Sequence, residues 1–289
     1  MDDSGPSRTA LATAYARAYH QMVDRPRILT DPYAARILGV GPEELSTMSE
    51  SAVEKSVVGA MQWPRRLFFA ARARFAEDRV AAAWERGVRQ VVVLGAGMDT
   101  FSLRNPRAGL RVFEVDHPAT QAWKRRRLTE AGVDVPEPVT FVPVDFETDL
   151  LADELESAGM SRSDPTVFVW LGVVYYLTSD AVDATLDYIA GQARPAEVVF
   201  DYLQPPTGDE DVSRLRERAD RLAAAGEPWL SYFTPTDLRV KLAGLGFGEI
   251  DDRSAAEVVD EYTDGTTDMR IDDPQALRAS RIVSAVRTR

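Results

Sequence analysis

From Gln90 onward the chain alternates short apolar runs with stretches of helical periodicity, and this alternation restricts the fold more than any other feature. Strands that are apolar on both faces must be covered on both, and parallel neighbours need helical crossovers between them. The fold class is therefore read as α/β, a largely parallel sheet with helices on both faces. Gln90–Leu94, Arg111–Val115, Val139–Val144, Thr166–Leu171 and Glu197–Asp201 are read as strands, and Phe247–Asp252 and Arg281–Val286 bring the sheet to about seven. Helices are expected at Pro118–Ala131, Asp149–Ala158 and Ser179–Ala193, the last starting at the capping residue Thr178. Thr234-Pro235-Thr236-Asp237 combines a cap, a first-turn proline and a first-turn acid, and predicts a helix running to Leu245 and stopped by Gly246.

The part before this alternation reads as mostly helical. Ser7–Met22 carries Leu11, Ala14, Tyr15, Ala18 and Met22 at three-to-four spacing; Asp31-Pro32 starts a short helix through Leu38; Gly39–Pro42 breaks it and a linker follows. A long helix then spans Pro64 to about Arg86, with Leu67, Phe68, Ala71, Phe75, Val80 and Ala83 as its apolar members. The expected division is a helical cap over residues 1–88 and an α/β domain over 89–289, with a polar helix-plus-loop insertion at about 204–231.

Composition excludes several function classes. The formal charge of −12 argues against nucleic acid or an anionic membrane as standing partner, since both require a positive face. With no cysteine and two histidines, His20 and His117, there is no thiol nucleophile, and no metal site is expected. The start MDDSGPSRTA lacks a basic and apolar leader, and the longest apolar run, Val167–Leu177, is about half of the ~20 residues a membrane-spanning helix needs, so a cytoplasmic protein is expected. The run Lys124, Arg125, Arg126, Arg127 is read as a solvated helix face in an acidic protein.

The chemistry concentrates at three strand ends. Val91-Val92-Val93-Leu94-Gly95-Ala96-Gly97-Met98-Asp99-Thr100 is a buried strand, a glycine turn and a helix start, an arrangement that lets backbone N–H groups approach a ligand closely. A third glycine, which a dinucleotide-binding loop places three residues on, is here Thr100. Val112-Phe113-Glu114-Val115-Asp116 ends in an acid 19 residues after Gly97, suited to accept the two hydroxyls of a ribose. Phe141-Val142-Pro143-Val144-Asp145-Phe146 ends in an acid with an aromatic neighbour, suited to an adenine amino group and ring. Each acid alone is equally a helix cap, but together with the glycine turn they are better explained by one nucleoside ligand.

These motifs, in this order, resemble the leucine carboxyl methyltransferase-like family of S-adenosylmethionine-dependent O-methyltransferases, including its actinobacterial, secondary-metabolite members. Asp31-Pro32-Tyr33-Ala34, Ala71-Arg72-Ala73-Arg74-Phe75, Gly226-Glu227-Pro228-Trp229 and Ser231-Tyr232-Phe233 extend the resemblance over most of the chain. It implies a class I methyltransferase Rossmann-like sheet with an N-terminal helical cap, and S-adenosyl-L-methionine as cofactor, leaving as S-adenosyl-L-homocysteine. The cofactor residues it implies are Arg72 for the methionine carboxylate, with Arg74 as the competing choice, Gly95, Ala96 and Gly97 along the methionine and ribose, Asp116 for the ribose, Asp145 and Phe146 for the adenine, and Leu171 after the fourth strand. Leu171 is also a departure, standing where many relatives have a glutamate, and Phe101 stands where the family has an arginine.

The implied reaction is in-line methyl transfer to a carboxylate or hydroxyl of a small molecule, a carboxylic acid or phenol. A carboxylate acceptor needs no base, whereas a phenol or alcohol is helped by one. His20 and Tyr175 are the candidate catalytic groups, and Tyr15, Tyr19, Tyr175, Tyr202 and Tyr232 the candidate pocket residues. Two alternatives stay open: a cofactor-binding protein without transferase activity, motivated by Leu171 and Phe101, and a nicotinamide-dependent oxidoreductase, disfavoured by Thr100.

Overall fold

The computed structural model describes residues 7–50, 55–146, 148–206, 208–224, 226–263 and 277–288. Its centre is a sheet of seven strands: β1 (Gln90–Leu94), β2 (Arg111–Asp116), β3 (Val139–Pro143), β4 (Thr166–Trp170), β5 (Ala196–Leu203), β6 (Glu249–Ser254) and β7 (Ser280–Arg287). Their order is β3-β2-β1-β4-β5-β7-β6, with β7 antiparallel to both neighbours and the other pairings parallel. The α/β class and the strand number agree with the sequence reading.

Alternation along the central strands sorts side chains onto two faces. Val91, Val93, Val112, Val167, Val169, Val199 and Ile282 pack beneath α5 (Trp63–Glu85) and α12 (Ala255–Tyr262). Val92, Leu94, Phe113, Phe168, Trp170, Val198, Phe200 and Val283 face α9 (Ser179–Ala190) and α11 (Pro235–Gly244). Strand β5 is buried along all eight residues and outruns the expected Glu197–Asp201, because β7 pairs it from Ala196 to Leu203. The expected strand at Phe247–Asp252 begins two residues later. Gly246, at φ +86°, and the Phe247 N–H bonded to Leu242 O still belong to the termination of α11.

The N-terminal layer contains α1 (Arg8–Val23), α2 (Ala34–Leu38), α3 (Pro42–Glu50) and α4 (Lys55–Met61). The stretch read as a linker thus carries two helices, anchored through buried Leu45, Val57, Ala60 and Met61. Pro42 followed by Glu43 and Glu44, a proline and two acids in a first turn, was the local signal for the first of them. The remaining helices are α6 (Phe101–Arg104), α7 (Pro118–Glu130), α8 (Leu151–Ser157) and α10 (Asp209–Ala224), α10 lying inside the expected insertion. No helix among the described residues is long and apolar enough to cross a membrane.

Candidate cofactor and acceptor site

Strand order reverses between β1 and β4, and in sheets of this type ligands bind outside the carboxyl ends of the strands at that point. The glycine turn lies there. Gly95 and Gly97 have φ of +65° and +48°, and any added side chain would meet a neighbour: one on Gly95 would run into a Val173 methyl, one on Gly97 would lie 3.1 Å from Ala10 Cβ. Backbone alone can form this surface. Ala96 is tied to the adjacent strand through its N–H, which donates to Val115 O at 3.0 Å.

Asp116 stands at the tip of β2 beside that turn. Its carboxylate accepts the N–H of Gly97 and, at 2.7 Å, that of His117. Burial pushes its pKa up against the lowering effect of those two bonds. Val144 N–H donates to Asp116 O at 2.9 Å, which aligns the end of β3 with that of β2 and brings half-buried Asp145 and Phe146 to the same edge. The glycine surface, an acid at one strand tip and an acid-aromatic pair at the next fit the donor and acceptor chemistry of an adenosyl group.

On the other side of the turn, Arg72 of α5 reaches over the ends of β4 and β5. Its Nη1 donates to Asp201 Oδ2 at 2.6 Å, while Asp201 Oδ1 accepts the N–H of Gly172 at 2.6 Å. Both side chains are buried. Tyr175 lies within hydrogen-bonding reach of Arg72; burial, and after it the Asp201 charge, push the Tyr175 hydroxyl far above its ordinary pKa. Arg74 by contrast is exposed and paired with Asp78 at 2.8 Å, which removes it as a competitor for this position.

A model of the leucine carboxyl methyltransferase family matches residues 10–190. The chain belongs to that family. A Bacillus subtilis protein, YktD, provisionally named an S-adenosyl-L-methionine-dependent methyltransferase, is 32% identical over 85% of this chain and 88% of its own length. A Mycolicibacterium paratuberculosis protein with the same provisional name is 31% identical over 83% and 78%. Among solved structures, a DUF574 family protein of Streptomyces avermitilis superposes with a TM-score of 0.59 at 14% identity, covering 98% of each chain. A protein of Thermobifida fusca provisionally named a methyltransferase gives 0.54 at 16% identity, covering 100% of this chain and 97% of that one. The family resemblance and the assignment to the methyltransferases are thereby borne out, and the superpositions support the class I fold.

Leucine carboxyl methyltransferase family membership sharpens the two departures, Leu171 and Phe101. Both line one small void, together with Ala73, Glu77 and Asp99. One strand away from Leu171, Asp201 brings a buried carboxylate to the same end of the sheet, a residue the sequence reading passed over. Its signal was an acid inside an otherwise apolar strand, Val198-Val199-Phe200-Asp201-Tyr202.

The candidate tyrosines separate. Tyr175 and Tyr232 share one neighbourhood with Arg218, and Tyr175 also packs against Tyr176 and Trp229, at ring distances of 4.7 and 6.0 Å. Tyr202 does not join them: it is buried on the other side of β5, donating to Asp252 Oδ2 at 2.7 Å and accepting from Arg281 Nε at 3.1 Å. Tyr15 and Tyr19 lie in the packing between α1 and its helical neighbours, Tyr19 beneath the Arg66 guanidinium at 5.1 Å. His20 has both ring nitrogens engaged, Nδ1 with Asp24 Oδ2 at 2.7 Å and Nε2 with the Leu29 N–H at 3.4 Å, which makes it a structural residue and not a free base. His117 caps α7 through Nδ1. The basic run also differs from expectation: Lys124 is buried and paired with buried Glu114 at 2.6 Å, and Arg127 donates to Ile37 O and Leu38 O, so only part of that face is solvated.

Proposed function

We propose that this chain transfers a methyl group from S-adenosyl-L-methionine to a carboxylate oxygen of a small molecule, a hydroxyl being the second possible acceptor. The observation that carries the cofactor half is the convergence of the Gly95–Gly97 turn, Asp116 and Asp145 at the point where strand order reverses. When bound, the cofactor supplies a methyl group made electrophilic by its sulfonium. Gly95 and Gly97 let the backbone approach it, Asp116 accepts from the ribose hydroxyls, and Asp145 and Phe146 take the adenine. Arg72 holds the methionine carboxylate by a charge-assisted fork, and Asp201, beside it, is the acid available to the methionine amino group.

The carboxylate preference is supported by the scarcity of a base. His20 and His117 are both occupied within the fold, and Tyr175 is held as a neutral phenol beside the Arg72 guanidinium. An acceptor carboxylate is ionised at neutral pH, so no proton has to be removed before its oxygen attacks. The chain's contribution is then positioning and exclusion of water, by α1, the Val173–Tyr176 turn and the segment around Trp229.

Calorimetric titration with S-adenosylmethionine, S-adenosylhomocysteine and NADH, with Asp116→Ala as control, tests the cofactor. Binding of both adenosyl ligands, lost in the variant, is expected. NADH binding without adenosyl binding would replace the reading with an oxidoreductase. A screen of carboxylic acids and phenols then tests the acceptor, with turnover expected first among the acids; adenosyl binding without turnover on any acceptor would favour a non-catalytic binding protein.

A further inference from the structure

Helix α5 carries five arginines, and four of them are ion-paired: Arg66 with Asp24, Arg72 with Asp201, Arg74 with Asp78 and Arg79 with Glu197. Arg65 is the exception. It makes no ion pair among the described residues; its Nη1 donates to Gly59 O at 3.3 Å, and its Nε is buried without a hydrogen-bond partner. Seven residues separate it from Arg72, two turns along the same face of the helix and ~10 Å along its axis.

A second unpaired guanidinium comes from α10. Arg218 stacks on Trp229 at 4.8 Å, and Trp229 in turn meets Tyr175 edge-on at 6.0 Å. Arg218 also makes no ion pair among the described residues. Burial, and then the charges of Arg218 and Arg221, bring the Arg65 guanidinium down to about 10, so these cations are near enough to repel one another. In a chain of net charge −12, a desolvated cation pair with no ion-pair partner among the described residues is an unfavourable arrangement unless something else supplies the anion. The aromatic wall of Tyr175, Tyr176 and Trp229 joins this pair to the Arg72 end of the site.

We propose that Arg65 and Arg218 form an anion subsite of the acceptor pocket, so that the acceptor is a dianion: one carboxylate takes the methyl, and a second anionic group, across an apolar or aromatic body, is held by the two guanidinium groups. This rests on the methyltransferase reading of the same site. A carboxylate gripped by two arginines has its lone pairs engaged in charge-assisted bonds and is a poorer nucleophile, so the group bound there is not the group methylated.

The test titrates protein saturated with S-adenosylhomocysteine with terephthalate, 4-carboxycinnamate and adipate, each against its mono-acid, benzoate, cinnamate and hexanoate. At least one dianion is expected to bind about tenfold or more tighter than its mono-acid, as one charged hydrogen-bonded contact implies. Arg65→Gln and Arg218→Gln are each expected to reduce that ratio towards one while leaving S-adenosylhomocysteine affinity unchanged. Equal affinities within every pair, no binding of any acid to the loaded protein, or a dianion advantage that survives both substitutions overturns the subsite. Failure of wild-type protein to bind S-adenosylhomocysteine instead overturns the cofactor reading beneath it.

Discussion

A buried Lys124 beside a buried Glu114 shows how much one side chain can depend on another in this molecule. The pair sits between α7 and β2 at 2.6 Å, with Ser102 Oγ donating to the second carboxylate oxygen. Removing one member of a buried pair leaves the other charge unsatisfied, which destabilises by roughly 3–5 kcal/mol, whereas removing both is often near neutral. Lys124→Met is therefore expected to lower the urea midpoint sharply, and Lys124→Met with Glu114→Leu to recover much of the loss; equal loss in the two variants would show that the pair matters through packing alone. In sequence, Lys124 is the first of four consecutive basic residues and reads as surface, because nothing local marks which of the four turns inward. Asp201 is a second case. Its expected contribution is to fix Arg72, so Asp201→Asn should weaken S-adenosylhomocysteine binding by about tenfold, read by calorimetry, since a charged hydrogen-bonded contact is lost. Unchanged affinity would mean that Arg72 is positioned without it.

Helices α1 and α5 are clamped by Asp24, which accepts from His20 and, through both carboxylate oxygens, from Arg66 at 2.7 and 2.9 Å. Burial works to raise the Asp24 pKa, but the hydrogen bonds from Arg66 and His20 outweigh it and the carboxyl lies below its ordinary value of 3.8. A group depressed on folding contributes stability that is present above the unfolded value and lost as pH falls through the folded one. The stability difference between wild type and Asp24→Asn, measured by urea unfolding, should accordingly be largest near pH 6 and shrink below about pH 4; a difference constant from pH 6 to pH 3 would remove Asp24 from the acid response. At this scale the sequence was most legible where periodicity and caps coincide. Helices α5, α7, α9 and α11 and the first four strands lie within about two residues of expectation at nearly every end, because an apolar repeat bounded by a cap or glycine is a local property. Helix α12 was missed despite its Ser254–Glu257 capping box, since it is short and follows β6 directly. The antiparallel insertion of β7 between β5 and β6 is set by long-range pairing that leaves no local trace. The candidate site divides in the same way: the glycine turn and its two acids are contiguous motifs, whereas Asp201, Arg65 and Arg218 acquire meaning only when three distant elements meet.

Over the whole molecule, the N-terminal layer and the late insertion hold each other above the glycine turn. Glu227 Oε1 accepts Ser7 Oγ at 2.8 Å and the Arg8 N–H at 3.0 Å, placing a carboxylate on the N-terminus of α1, where the helix dipole favours it. Farther along α1, Arg17 donates to Met98 O at 2.5 Å and lies 3.6 Å from both Asp31 and Asp99, so the helix is fastened to the loop it covers. Between these two fastenings Ala10 Cβ borders the space that a side chain on Gly97 would fill. Where a ligand on the glycine surface competes with Ala10 for that space, part of its binding energy opposes the docking of α1, and its apparent affinity is reduced by the fraction of molecules in which the helix is docked. Glu227→Ala loosens the first of these fastenings without touching Asp116 or Arg72. The expected result is a protein that melts a few degrees lower when unliganded, in line with loss of about 1 kcal/mol in a chain this size. It should also bind S-adenosylhomocysteine several-fold faster in stopped-flow fluorescence and no more weakly by calorimetry. Slower or weaker binding would instead mean that docked α1 is part of the binding-competent state, and that the segment around Glu227 assembles the site as well as covering it.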